Sequence, residues 1–169
     1  MSLFIDGYNL IFAASKKRMP GFNIGQTEAA RDRLLALLAK YKSLRSERMT
    51  VFFDGGAEAA HLPRRQMARG MDIFFSDAKS NADADIKNAV SHDDQPRGIR
   101  VVTSDREIQT FVKHYGASVT DSDAFLDEVQ ELLRDSALPE DEPIEKYEGT
   151  AGGDADYWLK IFGGDDEKK

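Results

Sequence analysis

No cysteine occurs in the chain, and histidine is confined to His61, His92 and His114. The first absence excludes a disulfide framework, a cysteine nucleophile and thiolate zinc sites, and the histidines lack close ligand spacing. No apolar run approaches the ~20 residues of a membrane helix. The N-terminus enters a strand-like segment carrying Asp6 rather than a basic-then-apolar leader. A cytoplasmic protein with no membrane partner is the expectation. No Gly-x-x-x-x-Gly-Lys-Ser/Thr loop occurs, and Gly21-Phe22-Asn23-Ile24-Gly25 is not a dinucleotide fingerprint, so nucleotide cofactors have no support.

A basic excess is also missing, since the formal net charge is −7. Divided along the chain, the deficit belongs to one end. Residues 1–134 hold 19 acidic and 19 basic side chains, whereas residues 135–169 hold 11 and 4. If aspartates of the neutral part gather in one site, the rest of its surface is net basic. Basic groups stand at Lys16-Lys17-Arg18, at Lys40, Lys42, Arg45 and Arg48, and at Arg64, Arg65 and Arg69. Such clusters neutralise phosphates or simply form solvated faces.

What is present in 169 residues suffices for one soluble core with a tail. Leu3-Phe4-Ile5, Met49–Phe53, Met71–Phe75 and Ile99–Thr103 are short apolar or β-branched runs that predict buried strands, with a brief fifth at 116–119. Helical spacing predicts helices over 27–46, from Ala82 through Val90, from Asp105 through Val112 and from Asp121 through Leu133, with Asp105 and Asp121 as N-caps. Alternating strands and helices with continuous apolar strands predict an α/β fold around a mainly parallel sheet. The domain ends near residue 134. Residues 135–169 read as an acidic linker followed by a short apolar segment around Tyr157-Trp158-Leu159 and Ile161-Phe162. That segment suits docking on this body, on a second copy or on another molecule.

Sites in open parallel sheets lie beyond the carboxyl ends of the strands. Asp6, Asp54, Asp83 and Asp105 fall at that edge or on the helix starts beside it, and Asp85 stands close to Asp83. Singly, each is an ordinary cap or turn residue. Gathered carboxylates repel one another, so a set implies raised pKa values or a bound cation. Hard oxygen ligands without cysteine favour Mg2+ or Mn2+. Two such ions ~3.5–4 Å apart orient water in line with a phosphodiester. Asn9 is placed to orient Asp6 or a phosphate oxygen, or to satisfy a turn. An aspartyl-phosphate enzyme would want a second Asp where Tyr8 stands.

Five motifs carry a resemblance. Phe4-Ile5-Asp6-Gly7-Tyr8-Asn9-Leu10-Ile11, Ala30-Arg31-Asp32-Arg33-Leu34-Leu35, Val51-Phe52-Phe53-Asp54-Gly55, Ala82-Asp83-Ala84-Asp85-Ile86 and Val101-Val102-Thr103-Ser104-Asp105-Arg106-Glu107 resemble, in order and spacing, the YacP-like NYN domain family of PIN-like nucleases. The resemblance spans roughly residues 2–133. It implies a PIN-like three-layer αβα fold and a Mg2+- or Mn2+-dependent ribonuclease, with a role for some members in messenger-RNA decay linked to translation at the ribosome. By the same resemblance Asp6, Asp83 and Asp105 are catalytic metal-binding carboxylates, Asp54 is a further acidic member, and Asn9 and Ser104 support the site. Arg31 and Arg106 match basic positions suited to phosphate or to locking the carboxylates. One departure is the separation of Asp83 from Asp85 by Ala84, where the family pattern has adjacent acids. On a helix this rotates the second carboxylate by ~100°.

The first expectation is thus a metal-dependent endoribonuclease that cuts RNA with metal-activated water, leaving a 5′-phosphate and a 3′-hydroxyl. Tyr8 or Phe22 offers an aromatic surface for bases. The alternatives are a non-catalytic RNA-binding adaptor that recruits a partner through the Trp158 segment, and a phosphotransfer enzyme acting on a small metabolite. Association into a homo-oligomer is left open by the sequence.

Overall fold

Gly7–Lys16 forms a ten-residue helix directly after the first strand in the computed structural model, which describes residues 1–23, 25, 27–56, 62–77 and 79–137. The sequence reading has no helix there. No loop separates strand from helix, and Leu10, Ile11, Ala13 and Ala14 supply the buried side of a helix hidden among small residues. The strands are β1 (Ser2–Asp6), β2 (Arg48–Phe53), β3 (Arg65–Ala68), β4 (Met71–Phe75), β5 (Ile99–Val102) and β6 (Ser118–Thr120). The helices are α1 (Gly7–Lys16), α2 (Thr27–Ser43), α3 (Ala82–Ser91), α4 (Arg106–His114) and α5 (Ser122–Ser136). The expected apolar segment around Trp158 lies outside the described residues.

The strands form one sheet in the order β3-β4-β2-β1-β5-β6. All pairings are parallel except β3 with β4. β3 was hidden in the sequence because Arg65-Gln66-Met67-Ala68 has no apolar alternation, as suits an edge strand guarded by charge. Its hairpin turn places Arg69 and Gly70 both at positive φ, 53° and 79°, the geometry of a two-residue type I′ connection.

Side chains alternate along the strands and build two cores. Leu3, Ile5, Val51, Phe53, Ile73 and Phe75 meet α1, α2 and α5 on one face, and Phe52, Val101 and their neighbours meet α3 and α4 on the other. The result is the expected αβα sandwich. No helix among the described residues is long and apolar enough to cross a membrane. Phe22 is 3% exposed and belongs to the larger core, which corrects its expected role as a base-stacking aromatic. Tyr8 is half-buried, edge-on to Phe53.

Register decides where the site forms. Asp6 pairs with Phe52 at the carboxyl end of the central strands, and the loops after β2, β4 and β5 open at the same edge. The loop after β2 is fastened to the one after β4: Gly55 N–H donates to Ser76 Oγ at 2.9 Å, and Ser76 N–H donates to the Phe53 carbonyl at 3.0 Å. A methyl group on Gly55 would run into the Ser76 carbonyl oxygen. The exchange Gly55→Ala is expected to lower stability by ~1–3 kcal/mol through overpacking against backbone. Urea denaturation tests this, and an unchanged midpoint contradicts it.

Candidate active site

Asp6 ends β1 and occupies the N-cap position of α1. Its Oδ2 accepts a hydrogen bond from Thr103 Oγ1 at 3.1 Å. Thr103 is fully buried, and the same hydroxyl oxygen accepts the Asp105 N–H at 3.1 Å. This threonine therefore fixes two of the predicted carboxylates with one side chain. Its place in Val101-Val102-Thr103-Ser104-Asp105 was visible in the sequence, but its role was missed because no charge marks it.

Asp105 caps α4. Its Oδ1 accepts from Glu107 N–H at 2.8 Å and Ile108 N–H at 3.2 Å, satisfying two of the free amides at a helix start. Asp54, exposed just beyond β2, does similar work at a distance, because its Oδ1 accepts the Ala82 N–H at the start of α3 at 2.7 Å. Among the described residues no hydrogen bond engages Oδ2 of either side chain. Each carboxylate is thus held by one oxygen with the other still available.

These groups act on one another electrostatically. Burial is the main cause that pushes the Asp6 carboxyl up from 3.8 to about 6, and the charges of Asp54 and Asp105 add to it. The Thr103 hydroxyl and the backbone N–H of Asn9 work in the opposite direction and are outweighed. Asp85 is also raised, first by burial and then by Asp77 and Asp54, against the pull of the Ser80 hydroxyl and Arg64. Its Oδ1 accepts from Ser80 Oγ at 3.3 Å, and its buried Oδ2 has no partner among the described residues.

Asp83 departs from expectation. It sits in the first turn of α3 with its Oδ1 3.2 Å from Lys87 Nζ, and Lys87 also pairs with Glu107 in the first turn of α4. Asp83 is not among the charges that shift Asp6. Among the described residues no three carboxylate or imidazole groups converge closely enough to form a ready-made metal site. The predicted five-aspartate set therefore resolves into Asp6, Asp54 and Asp105 acting together, Asp85 beside them, and Asp83 held by a cation.

The supporting residues divide in the same way. Asn9 Oδ1 accepts the Ser104 N–H at 2.9 Å and the Ser122 hydroxyl at 2.6 Å, so this amide ties α1 to the loop after β5 and to the start of α5 rather than turning its side chain on Asp6. Ser104 Oγ accepts the Ser122 N–H at 3.1 Å. Ser122 was not foreseen; a small polar residue directly after a capping position was its only signal. Asp121 occupies the N-cap position of α5, yet its side chain makes no cap and accepts from Gln109 Nε2 at 2.8 Å instead.

Arg31 is 5% exposed on α2, where Nη1 donates to the Tyr8 hydroxyl at 2.8 Å and the guanidinium lies over Phe75. No carboxylate among the described residues pairs with it, so here it orients Tyr8 rather than locking a site aspartate. Arg106 does face solvent. It lines a polar depression of about 700 Å³ between α4 and α5 together with Ser104, Gln109, Lys113, Asp121 and Asp123.

A family model, the YacP-like NYN domain, matches residues 3–151. The match extends beyond the motif-bearing residues 2–133 into the acidic segment. The uncharacterized protein YacP of Bacillus subtilis (strain 168) is 29% identical over 133 residues, which is 78% of this chain and 76% of that protein. Two crystal structures of Rae1 (YacP) from Bacillus subtilis, one of them of a mutant, are similar with TM-scores of 0.65 and 0.64 at 26% identity. Each alignment covers 96% of this chain and 92% of the other.

The raised Asp6 pKa has a sign that can be tested without a substrate. Between pH 3.8 and about 6 the unfolded chain gives up this proton before the folded one, so the contribution of Asp6 to stability falls as pH rises through that window. In EDTA, Asp6→Asn is expected to stabilise the protein above pH 6 by up to ~3 kcal/mol, and to bring no gain below about pH 4. Thermal melts across pH measure this, and a destabilised variant at pH 7 contradicts it.

Proposed function

Because the chain belongs to the YacP-like NYN domain family, we propose that it is a metal-dependent endoribonuclease whose site is the carboxylate edge formed by Asp6, Asp54 and Asp105. The standing of that family among PIN-like nucleases supports an RNA nuclease role. The observation that carries the finer reading is the burial of the Asp6 carboxyl at an edge where Asp54 and Asp105 add their charges to the effect of burial. A half-buried carboxyl pushed to about 6, with Asp54 and Asp105 near enough to contribute, is poised for a cation that would relieve the repulsion.

The donor set fits a hard divalent ion. Asp6, Asp54 and Asp105 would hold Mg2+ or Mn2+ through carboxylate oxygens, with Asp85 close by, and there is no thiolate to favour a softer metal. When bound, the ion supplies the positive charge that makes water a nucleophile near neutral pH and offsets charge on the scissile phosphate. Asp83 enters the set only if it is released from Lys87.

The residues of the chain perform the positioning. Thr103 holds Asp6 and the backbone of Asp105 together, so the two carboxylates move as one unit. Asn9, Ser104 and Ser122 lock the loop after β5 against α1 and α5. Arg106 and Lys113 line the depression beside that loop, opposite Asp121, Asp123 and Asp127, and would meet the phosphates of an RNA strand through charge. The hydroxyl of Tyr8, oriented by Arg31, presents a polar edge at the start of α1.

A second reading, the RNA-binding adaptor without turnover, is favoured by one feature: the ion pairs of Lys87, which occupy Asp83. Cleavage of end-labelled single-stranded RNA by the purified protein in Mg2+, Mn2+ or EDTA separates the two. The proposal expects cleavage that needs the metal, leaves a 5′-phosphate, and falls by at least ~100-fold in Asp6→Asn and by ~10–100-fold in Thr103→Val, the latter being the usual cost of removing a support of a metal ligand. RNA that is bound but uncut with either metal overturns the enzyme reading in favour of the adaptor.

A further inference from the structure

On one face of the sheet the helical layer is incomplete among the described residues. There α3 lies over β1 and β2 and α4 over β6, and no described helix covers the β4-β3 end. A groove of about 540 Å³ runs along it, floored by Phe4, Phe52 and Phe74 from three neighbouring strands and walled by Ala89 of α3 on one side and Arg65 of β3 on the other. Phe4 stands edge-on to Phe52 at 5.4 Å, and Phe74 lies 5.7 Å from Phe52, so the floor is a continuous aromatic row. Met67, in register with Asp72 and therefore on the same face, is 68% exposed. A floor of this kind in an α/β sandwich is where a covering element belongs.

The course of α5 shows which part of the chain can supply it. Near its start Ser122 bonds Asn9 just beyond the end of β1, and further on Glu128 Oε2 accepts from Arg100 Nη1 at 3.0 Å near the beginning of β5. The helix therefore runs against the strands and ends at the edge where β1 and β2 start. The groove reaches the same edge, where Ser2 and Arg48 line it. From Ala137 to Tyr157 the intervening residues 138–156 extend up to ~60 Å, ample to round three layers of ~10 Å each.

Composition points the same way. Tyr157-Trp158-Leu159-Lys160-Ile161-Phe162 is the dense apolar run of residues 138–169, and acids surround it. The groove offers an aromatic floor with Arg48 and Arg65 at its margin and Arg64 over the Phe74 ring at 5.4 Å. Arg65 is already partnered by Asp72 at 3.5 Å, and Asp85 and Asp93 also line the groove, so the match is apolar at its centre and mixed in charge at its rim.

We propose that the Tyr157–Phe162 segment of this same chain docks into the groove between α3 and β3, with Trp158 over the Phe4-Phe52-Phe74 row. This covers the aromatic row and brings the acidic tail to the body. It stands apart from the nuclease reading and holds for an adaptor as well.

The sequence provides two clean readouts on the full-length chain, a single tryptophan and no native cysteine. Trp158 emission is expected to be blue-shifted from that of the urea-unfolded chain and shielded from acrylamide. Met67→Glu, at an exposed position, and Ala89→Glu, at the wall of the groove, should raise quenching several-fold while circular dichroism melts confirm that the fold persists. In the paired variant Ala89→Cys with Leu159→Cys, a short bismaleimide should join the two positions within one chain. Cross-links only between chains assign the groove to a second copy and overturn the proposal. So does a Trp158 as exposed as in urea, or one that is shielded yet indifferent to both groove variants.

Discussion

Burial of the Asp6 carboxyl at a sheet edge that it shares with Asp54 and Asp105 is the constraint around which the rest of this molecule is arranged. Asp6, Asp54 and Asp105 come from three segments far apart in sequence, and parallel strand order brings their loops together. A buried carboxylate without partners is costly. Each aspartate is instead assigned a structural duty: Asp54 and Asp105 each receive backbone amides at a helix start through one oxygen, and Asp6 receives the Thr103 hydroxyl. Capping and ligand chemistry are thus not rivals here. A helix N-terminus carries partial positive charge, so a carboxylate placed there is stabilised while its second oxygen stays accessible.

The scaffold around that edge explains why the arrangement holds. The segments at the carboxyl ends of the central strands are stapled to their neighbours, the loop after β2 by Gly55 with Ser76 and the start of α1 by Asn9 with Ser104 and Ser122. Backbone and small polar groups do the positioning. At the opposite edge a second polar network, in which Tyr41 Oη donates to Glu128 and Arg100 Nη2 donates to Tyr41 Oη at 3.1 Å, anchors α2 and α5 to β5. Burial together with Glu128 pushes the Tyr41 hydroxyl up to about 12, so it stays a hydrogen-bond donor across the ordinary pH range. The α5 helix is in this way fixed at its start, near the candidate site, and again at its middle through Glu128.

Much of this was legible in the sequence, for identifiable reasons. The runs Met49–Phe53 and Met71–Phe75 announce strands because they are short and dense in apolar side chains, and the strand-end position of Asp54 follows from the first of them. What escaped depends on contacts between remote segments. The polar edge strand β3 has no apolar signature, and α1 follows β1 without a turn to mark it. Thr103 and Ser122 reveal their roles only when residues about a hundred positions away are brought within 3.1 Å and 2.6 Å. The family resemblance put Asp83 and Arg31 in the site by position. Three-dimensional partners, Lys87 for the one and Tyr8 for the other, assign them differently in this structure.

The account stands or falls on whether the carboxylate edge takes a divalent cation. The most direct measurement is titration of Mn2+ into the full-length protein followed by electron paramagnetic resonance, beside Asp6→Asn, Asp54→Asn and Lys87→Met. The account predicts saturable binding that is lost in Asp6→Asn, weakened in Asp54→Asn, and undiminished in Lys87→Met, where Asp83 is freed to join the set. Binding that survives Asp6→Asn unchanged, or no binding to the wild-type protein at millimolar Mn2+, would contradict it.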